Sequence, residues 1–283
     1  MSVYREKPEP LFELVTHEID IKPGLTATSV GYENSQWRYK AVADYLFEWL
    51  PEFALKYSDL EDLSSGTMMR LIKRAAKTVY NTPKYKKRGE FGELLLHALI
   101  REVFDSQPAI SKIYYKSAAN DPVKGFDAVH VVEDGEELEL WLGEAKFHKD
   151  INGAISEVVK GLEKNMKRDY LREEFILISS KVDSRWPHAD KFKKLLSERN
   201  SLDTVFKRIC IPVLLTYESK TVSSFNKVSE EYQKALLEEV KNIYQKFSSK
   251  KLPEVRIHLF LFPLADKDRL VSALQDKLEG LQR

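Results

Sequence analysis

Polar and apolar positions alternate first in LFELVTHEIDI, Leu11 to Ile21, which predicts a strand. SQWRYKAVADYLFEWLPEFAL, residues 35–55, repeats its apolar positions at helical spacing and predicts an amphipathic helix stopped near Pro51. Further helices are expected over Thr67–Tyr80 and, more strongly, over Gly89–Phe104, GEFGELLLHALIREVF. Three short apolar runs follow at Ile110–Lys116, Val123–Val132 and Leu138–Phe147, all strand-like. AISEVVKGLEKNM, residues 154–166, returns to helical spacing. EEFILISS, 173–180, reads as a strand, HADKFKKLLSER, 188–199, as a helix, and RICIPVLLTYES, 208–219, as a strand. A long helix is expected over 229–247, a strand over 254–262 and a closing helix over 266–281.

From Gly89 onward the order is α-β-β-β-α-β-α-β-α-β-α, which argues for an α/β fold with a mixed central sheet flanked by helices. Strands apolar at both parities fit a sheet buried on both faces. Residues 1–66 read as an N-terminal elaboration, and 67–283 as the main domain with C-terminal βα extensions. The 283 residues are 43% hydrophobic and 31% charged, enough for a substantial core, and a net charge of +1 leaves local charge to decide about nucleic acid. A single cysteine, Cys210, excludes an internal disulfide and sits among apolar neighbours, so a buried thiol and a reducing cytoplasm are expected. MSVYREKPEP carries no apolar leader segment, and the longest apolar run is too short to span a membrane, so no membrane partner is expected.

The chemistry lies in VKGFDAVHVVEDGEELELWLGEAKFHK, Val123–Lys149. EDGE, Glu133–Glu136, is a turn signal with Asp-Gly at its centre. It sets Val132 opposite Glu137, Val129 opposite Leu140 and Asp127 opposite Leu142. Alternation then puts Asp127, Glu144 and Lys146 on one face, with Asp127 diagonal to Glu144 at roughly 7–8 Å between backbones. Two carboxylates so close repel unless a proton or cation intervenes. A hard divalent ion, Mg²⁺ with Mn²⁺ as its substitute, prefers such oxygen ligands, and the Ala145 carbonyl offers a third. Lys146 on the same side is placed to activate water or neutralise a phosphate, a combination that suits phosphodiester hydrolysis. ExK spacing alone is unspecific and most often marks a solvated strand face. Leu138, Leu140 and Leu142 on the same face weigh against that.

GFD followed by GEAK, with α-β-β-β-α-β over Gly89–Ser180, resembles the PD-(D/E)XK nuclease superfamily with its restriction-endonuclease-like core. That resemblance implies a glutamate from the first core helix. RGEFGE offers Glu93, at the margin of the apolar side, with Glu90 in reserve and His97 one turn on. RGEFGELLLHALI, KGFDAVH, LGEAKFHKD and INGAISEV together resemble the HamA family, nuclease subunits of Hachiman anti-phage defence, with AbpA-like proteins a close second. The resemblance implies a DNA substrate and a separate superfamily 2 helicase partner (HamB-like) that restrains the nuclease. The chain has no GxxxxGK[ST] loop of its own. A catalytically silent DNA-binding subunit of a helicase complex, or a repair nuclease, remains the alternative.

RLIKRAAKTVYNTPKYKKRGE, Arg70–Glu90, holds eight basic residues and one acidic one. It reads as a solvated basic face or as a phosphate-tracking segment, with Lys84, Lys86, Lys87 and Arg88 nearest the site and Tyr80 and Tyr85 available for stacking. Lys160, Lys164 and Lys167 recur at one-turn spacing on the helix after the site, where they would face either DNA or solvent. His130, of opposite parity to Asp127, is expected to be structural, and His148 shares the parity of Lys146.

Overall fold

The computed structural model describes Tyr4 and residues 6–79, 89–111 and 125–283. In chain order the strands are β1 (Glu13–Glu18), β2 (Gly24–Ser29), β3 (Tyr32–Glu33), β4 (Gln36–Trp37), β5 (Gln107–Ser111), β6 (Ala128–Asp134), β7 (Glu137–Phe147), β8 (Ile209–Glu218) and β9 (Arg256–Leu264). The helices are α1 (Tyr39–Glu48), α2 (Leu50–Ala54), α3 (Tyr57–Leu60), α4 (Met68–Thr78), α5 (Glu90–Phe104), α6 (Ile151–Asn165), α7 (Arg168–Lys181), α8 (Ala189–Leu195), α9 (Leu202–Phe206), α10 (Lys220–Ser224), α11 (Glu230–Ser248) and α12 (Lys267–Gln282). Seven strands form one mixed sheet in the order β1-β2-β9-β8-β7-β6-β5. The four strands β2, β9, β8 and β7 run parallel, while β1 and the β5–β6–β7 meander pair antiparallel. This is the expected mixed sheet flanked by helices. The N-terminal segment adds β1 and β2 to the same sheet beside β9.

The covering of the sheet can be read from its glycines. A Cβ on Gly143 of β7 would meet Leu96 of α5 at 2.8 Å, and one on Gly92 of α5 would meet Phe147 of β7 at 2.8 Å. Helix α5 therefore lies against the face bearing residues 141, 143, 145 and 147, and both contacts require glycine. On the other face, Glu144 Oε1 is 3.5 Å from where a Cβ on Gly161 of α6 would sit. Side chains alternate along β7, so Glu144 and Lys146 point toward α6 and away from α5.

Three expectations need correction. EEFILISS is not a strand: it lies in α7, whose buried side is Leu171, Glu174, Phe175 and Ile178, while Ile176 and Leu177 are 53% and 36% exposed. A short apolar run does not distinguish strand from helix, and a glutamate in the buried stripe hid the helical period. The strand after α6 in the core order is thus β8, beyond Ser180. The helix expected to stop near Pro51 does so, ending at Glu48, and Pro51 lies in the first turn of the separate helix α2, where a missing N–H costs nothing. The hairpin pairs Val129 with Leu142 and Asp134 with Glu137, two residues from the expected register. Its turn is Gly135-Glu136, with Gly135 at φ +60. A shift of two keeps every side chain on its face. The strand expected over Ile110–Lys116 begins earlier, at Gln107, and residues 112–116 lie outside the described residues.

Strand β2 escaped the pattern because it is half polar, GLTATS, yet it is wholly buried. Thr26 Oγ1 satisfies itself between His17 Nδ1 at 2.8 Å and His258 Nε2 at 2.7 Å. Cys210 is buried as expected, and burial pushes its thiol up to about 12.

Candidate functional site

The β6–β7 ladder ends at Ala128 and Gly143. One step further the Asp127 N–H still donates to the Gly143 carbonyl at 2.8 Å, and then β6 is gone from beside β7. The Ala145 N–H, without a strand partner on that side among the described residues, donates to Asp127 Oδ2 at 2.9 Å. A residue in an extended strand directs its N–H and C=O to the same edge, so the Ala145 carbonyl opens toward the same gap. Extending the register places Asp127 directly opposite Glu144 rather than diagonal to it. Both carboxylates are buried, only 6% exposed.

Lys146 completes the cluster. Its Nζ donates to Glu144 Oε1 at 2.8 Å and lies 3.3 Å from Glu157 Oε1 on α6. Burial works to lower the pKa of this ammonium, but Glu144, Asp127 and Glu157 outweigh it and hold it above the usual lysine value. The charge of Asp127 is therefore felt at Lys146, and the three predicted residues share one side of the sheet. His148 joins them through Glu157, Nε2 to Oε2 at 3.1 Å. Glu157 was missed by sequence reasoning. Its signal is modest: it stands one helical turn before Gly161, the residue that faces Glu144.

Glu93 is placed differently. It is buried on the first turn of α5, beside Gly92 and so at the same end of the sheet, but on the helix that covers the opposite face. Glu90 starts the same helix. Among the described residues no three His, Cys, Asp or Glu side chains form a group able to hold a metal ion. The structure thus joins Asp127, Glu144 and Lys146 and does not join Glu93 with them. The remaining donors still fit a hard divalent cation, since two buried carboxylates and a main-chain carbonyl are oxygen ligands throughout.

His97 is not a neighbour of the site. It is buried against His130, Nδ1 to Nε2 at 3.2 Å, and His130 Nδ1 meets Ser106 Oγ at 2.9 Å, which makes His130 structural as expected. Lys160 and Lys164 are exposed on α6, and Arg70, Lys73, Arg74 and Lys77 are exposed on α4. Lys84, Lys86, Lys87 and Arg88, with Tyr80 and Tyr85, lie outside the described residues. No helix among the described residues is long and apolar enough to cross a membrane.

The family model named HamA matches residues 9–278, nearly the whole chain and all the elements that build this site. The chain belongs to the HamA family. This HamA-family chain is also similar to Anti-bacteriophage protein A of Escherichia coli (strain K12), at 24% identity over 258 residues. That match covers 87% of the chain but 46% of the relative, so the chain spans less than half the length of the curated protein it matches.

Proposed function

We propose that this HamA-family protein is a Mg²⁺-dependent deoxyribonuclease that acts in defence against bacteriophage together with a superfamily 2 helicase that restrains it. The observation that carries the reading is the meeting of Asp127, Glu144 and Lys146 where β6 leaves β7. Asp127, Glu144 and the Ala145 carbonyl would hold the ion, with Mn²⁺ able to replace it. When bound, the ion supplies a Lewis acid for the phosphodiester and lowers the pKa of water. Lys146 holds a positive charge beside the acids and neutralises the phosphate as negative charge builds on it. Asp127 is fixed by two main-chain bonds, so its carboxylate needs no reordering before it acts. Defence is supported by the family and by the name of the Escherichia coli relative. The helicase partner rests on the sequence resemblance, as does cleavage to 5′-phosphate and 3′-hydroxyl ends.

The test is supercoiled plasmid incubated with the protein, alone and with the helicase, in Mg²⁺ and in chelator. Cleavage that needs Mg²⁺ is expected. Plasmid bound but uncut under every condition would replace this reading with that of a silent DNA-binding subunit.

A further inference from the structure

The Lys146 ammonium stands where a cation is expected to act. Its Nζ donates to Glu144 Oε1 at 2.8 Å, so it occupies an oxygen of one of the two acids read as ligands. Two positive charges drawn to one carboxylate repel each other. A divalent ion therefore has Glu144 to itself only if the ammonium gives way. A lysine can do so readily, because its charge rides on a flexible four-carbon stem.

A second acceptor is already in place. Glu157 Oε1 lies 3.3 Å from the same Nζ. Glu157 stands on α6, the helix packed on β7 and β8, one turn before Gly161. At Gly161 the helix comes next to Glu144, with 3.5 Å between Glu144 Oε1 and the place a Cβ would take. Residues four apart share a helix face, so Glu157 projects beside the acid pair from the overlying helix. Its other oxygen, Oε2, is 3.1 Å from His148 Nε2. The two oxygens are thus divided, and the contact with His148 keeps Oε1 turned toward Lys146. The Glu157 side chain is 55% exposed while Glu144 is buried, so a move from one acid to the other carries the ammonium toward the open side of the site. The formal charges also fit. Asp127, Glu144 and Glu157, the three acids that act on Lys146, leave two negative charges once the lysine is counted, the charge of one divalent ion.

We propose that Glu157 is a positioning residue that takes the Lys146 ammonium from Glu144 when a cation binds, and holds it at the open side where a phosphate arrives. The inference rests on the reading of Asp127 and Glu144 as cation ligands. An ordinary exposed ion pair contributes little to stability and has no bearing on a bound ion. A positioning acid of this kind acts on the ion only by way of Lys146.

The test is a double-mutant cycle on the full chain, with Mn²⁺ as the probe and its affinity measured by calorimetry for wild type, Glu157→Gln, Lys146→Met and the double variant. With Lys146 present, Glu157→Gln is expected to weaken Mn²⁺ binding by about tenfold, the scale of an outer partner in a metal site. In the Lys146→Met background there is no ammonium to move, and the same substitution should change the affinity by no more than about twofold. Lys146→Gln replaces Lys146→Met if the methionine variant fails to fold. Unchanged Mn²⁺ affinity in Glu157→Gln would overturn the inference. So would an equal loss in both backgrounds, which would make Glu157 a charge acting through space and not the holder of Lys146. Wild type that binds no Mn²⁺ would overturn the cation site itself, and the inference with it.

Discussion

Glu144→Gln is expected to reduce Mg²⁺-dependent DNA cleavage by about a hundredfold to a thousandfold, the scale seen when one preorganised polar group is removed from a reacting site. The substitution keeps the shape of a buried side chain while deleting the charge that faces Asp127. Losing that repulsion offsets the loss of the Lys146 ion pair, so the melting temperature should move by only a few degrees. Lys146→Met should lose cleavage to a similar degree but stability as well. It removes the ammonium that donates to Glu144 and whose charge is felt by Asp127 as well. Cleavage rates on plasmid and thermal melts of both variants decide this. A Glu144→Gln protein that cuts at the wild-type rate would remove Glu144 from the mechanism.

Arg101→Met is expected to destabilise the protein by about 3–5 kcal/mol, a large share of the 5–15 kcal/mol that a domain usually commands. Arg101 is wholly buried on α5. Its Nε donates to Glu52 Oε1 at 2.5 Å, its Nη2 to the Tyr4 carbonyl at 2.7 Å, and its Nη1 to the Ser106 carbonyl. It thereby ties the N-terminal segment, α2 and the turn after α5 into one unit. Methionine would fill the space and leave Glu52 with His97 in place of a guanidinium.

The pH dependence of that loss follows from the two histidines alongside. Burial, opposed by Glu52 and aided by the charge of Arg101, holds His97 below the ordinary 6.5. Burial, then the charges of His97 and Arg101, hold His130 well below it. Burial brings His258 down to about 3. A depressed histidine contributes its stability above the unfolded value and loses it as pH falls below that value. Wild type should therefore weaken below about pH 6.5, with His258 alone removing about 1.4 kcal/mol per pH unit down toward pH 3. Without Arg101, His97 is freer to take a proton opposite Glu52, from which its Nε2 is 3.2 Å away. The stability gap between Arg101→Met and wild type should narrow from pH 7.5 to pH 5, measured by urea unfolding. A gap that stays constant or widens would contradict this linkage.

The acid pair and its lysine were legible because strand alternation is strict, and a pairing register misplaced by two residues left every parity intact. The direct opposition of Asp127 and Glu144 was not legible, since the hairpin offered more than one even register. Helix α7 was misread because Glu174 interrupts the apolar stripe that would have declared it. The Glu52–His97–Arg101–His130–Ser106 network had no local signal, because its members come from four separate segments and meet only once the sheet is formed. Glu93 came from the family pattern rather than from strand alternation, and it stands on the first turn of α5, the helix that covers the face of β7 bearing Gly143 and Phe147.

All of this turns on a cation seated between Asp127 and Glu144. The most direct measurement is an anomalous difference map from crystals soaked in Mn²⁺. A peak bounded by the Asp127 and Glu144 carboxylates and the Ala145 carbonyl is the expected result. Mn²⁺ bound elsewhere on the protein, with no peak between those two acids, would contradict it.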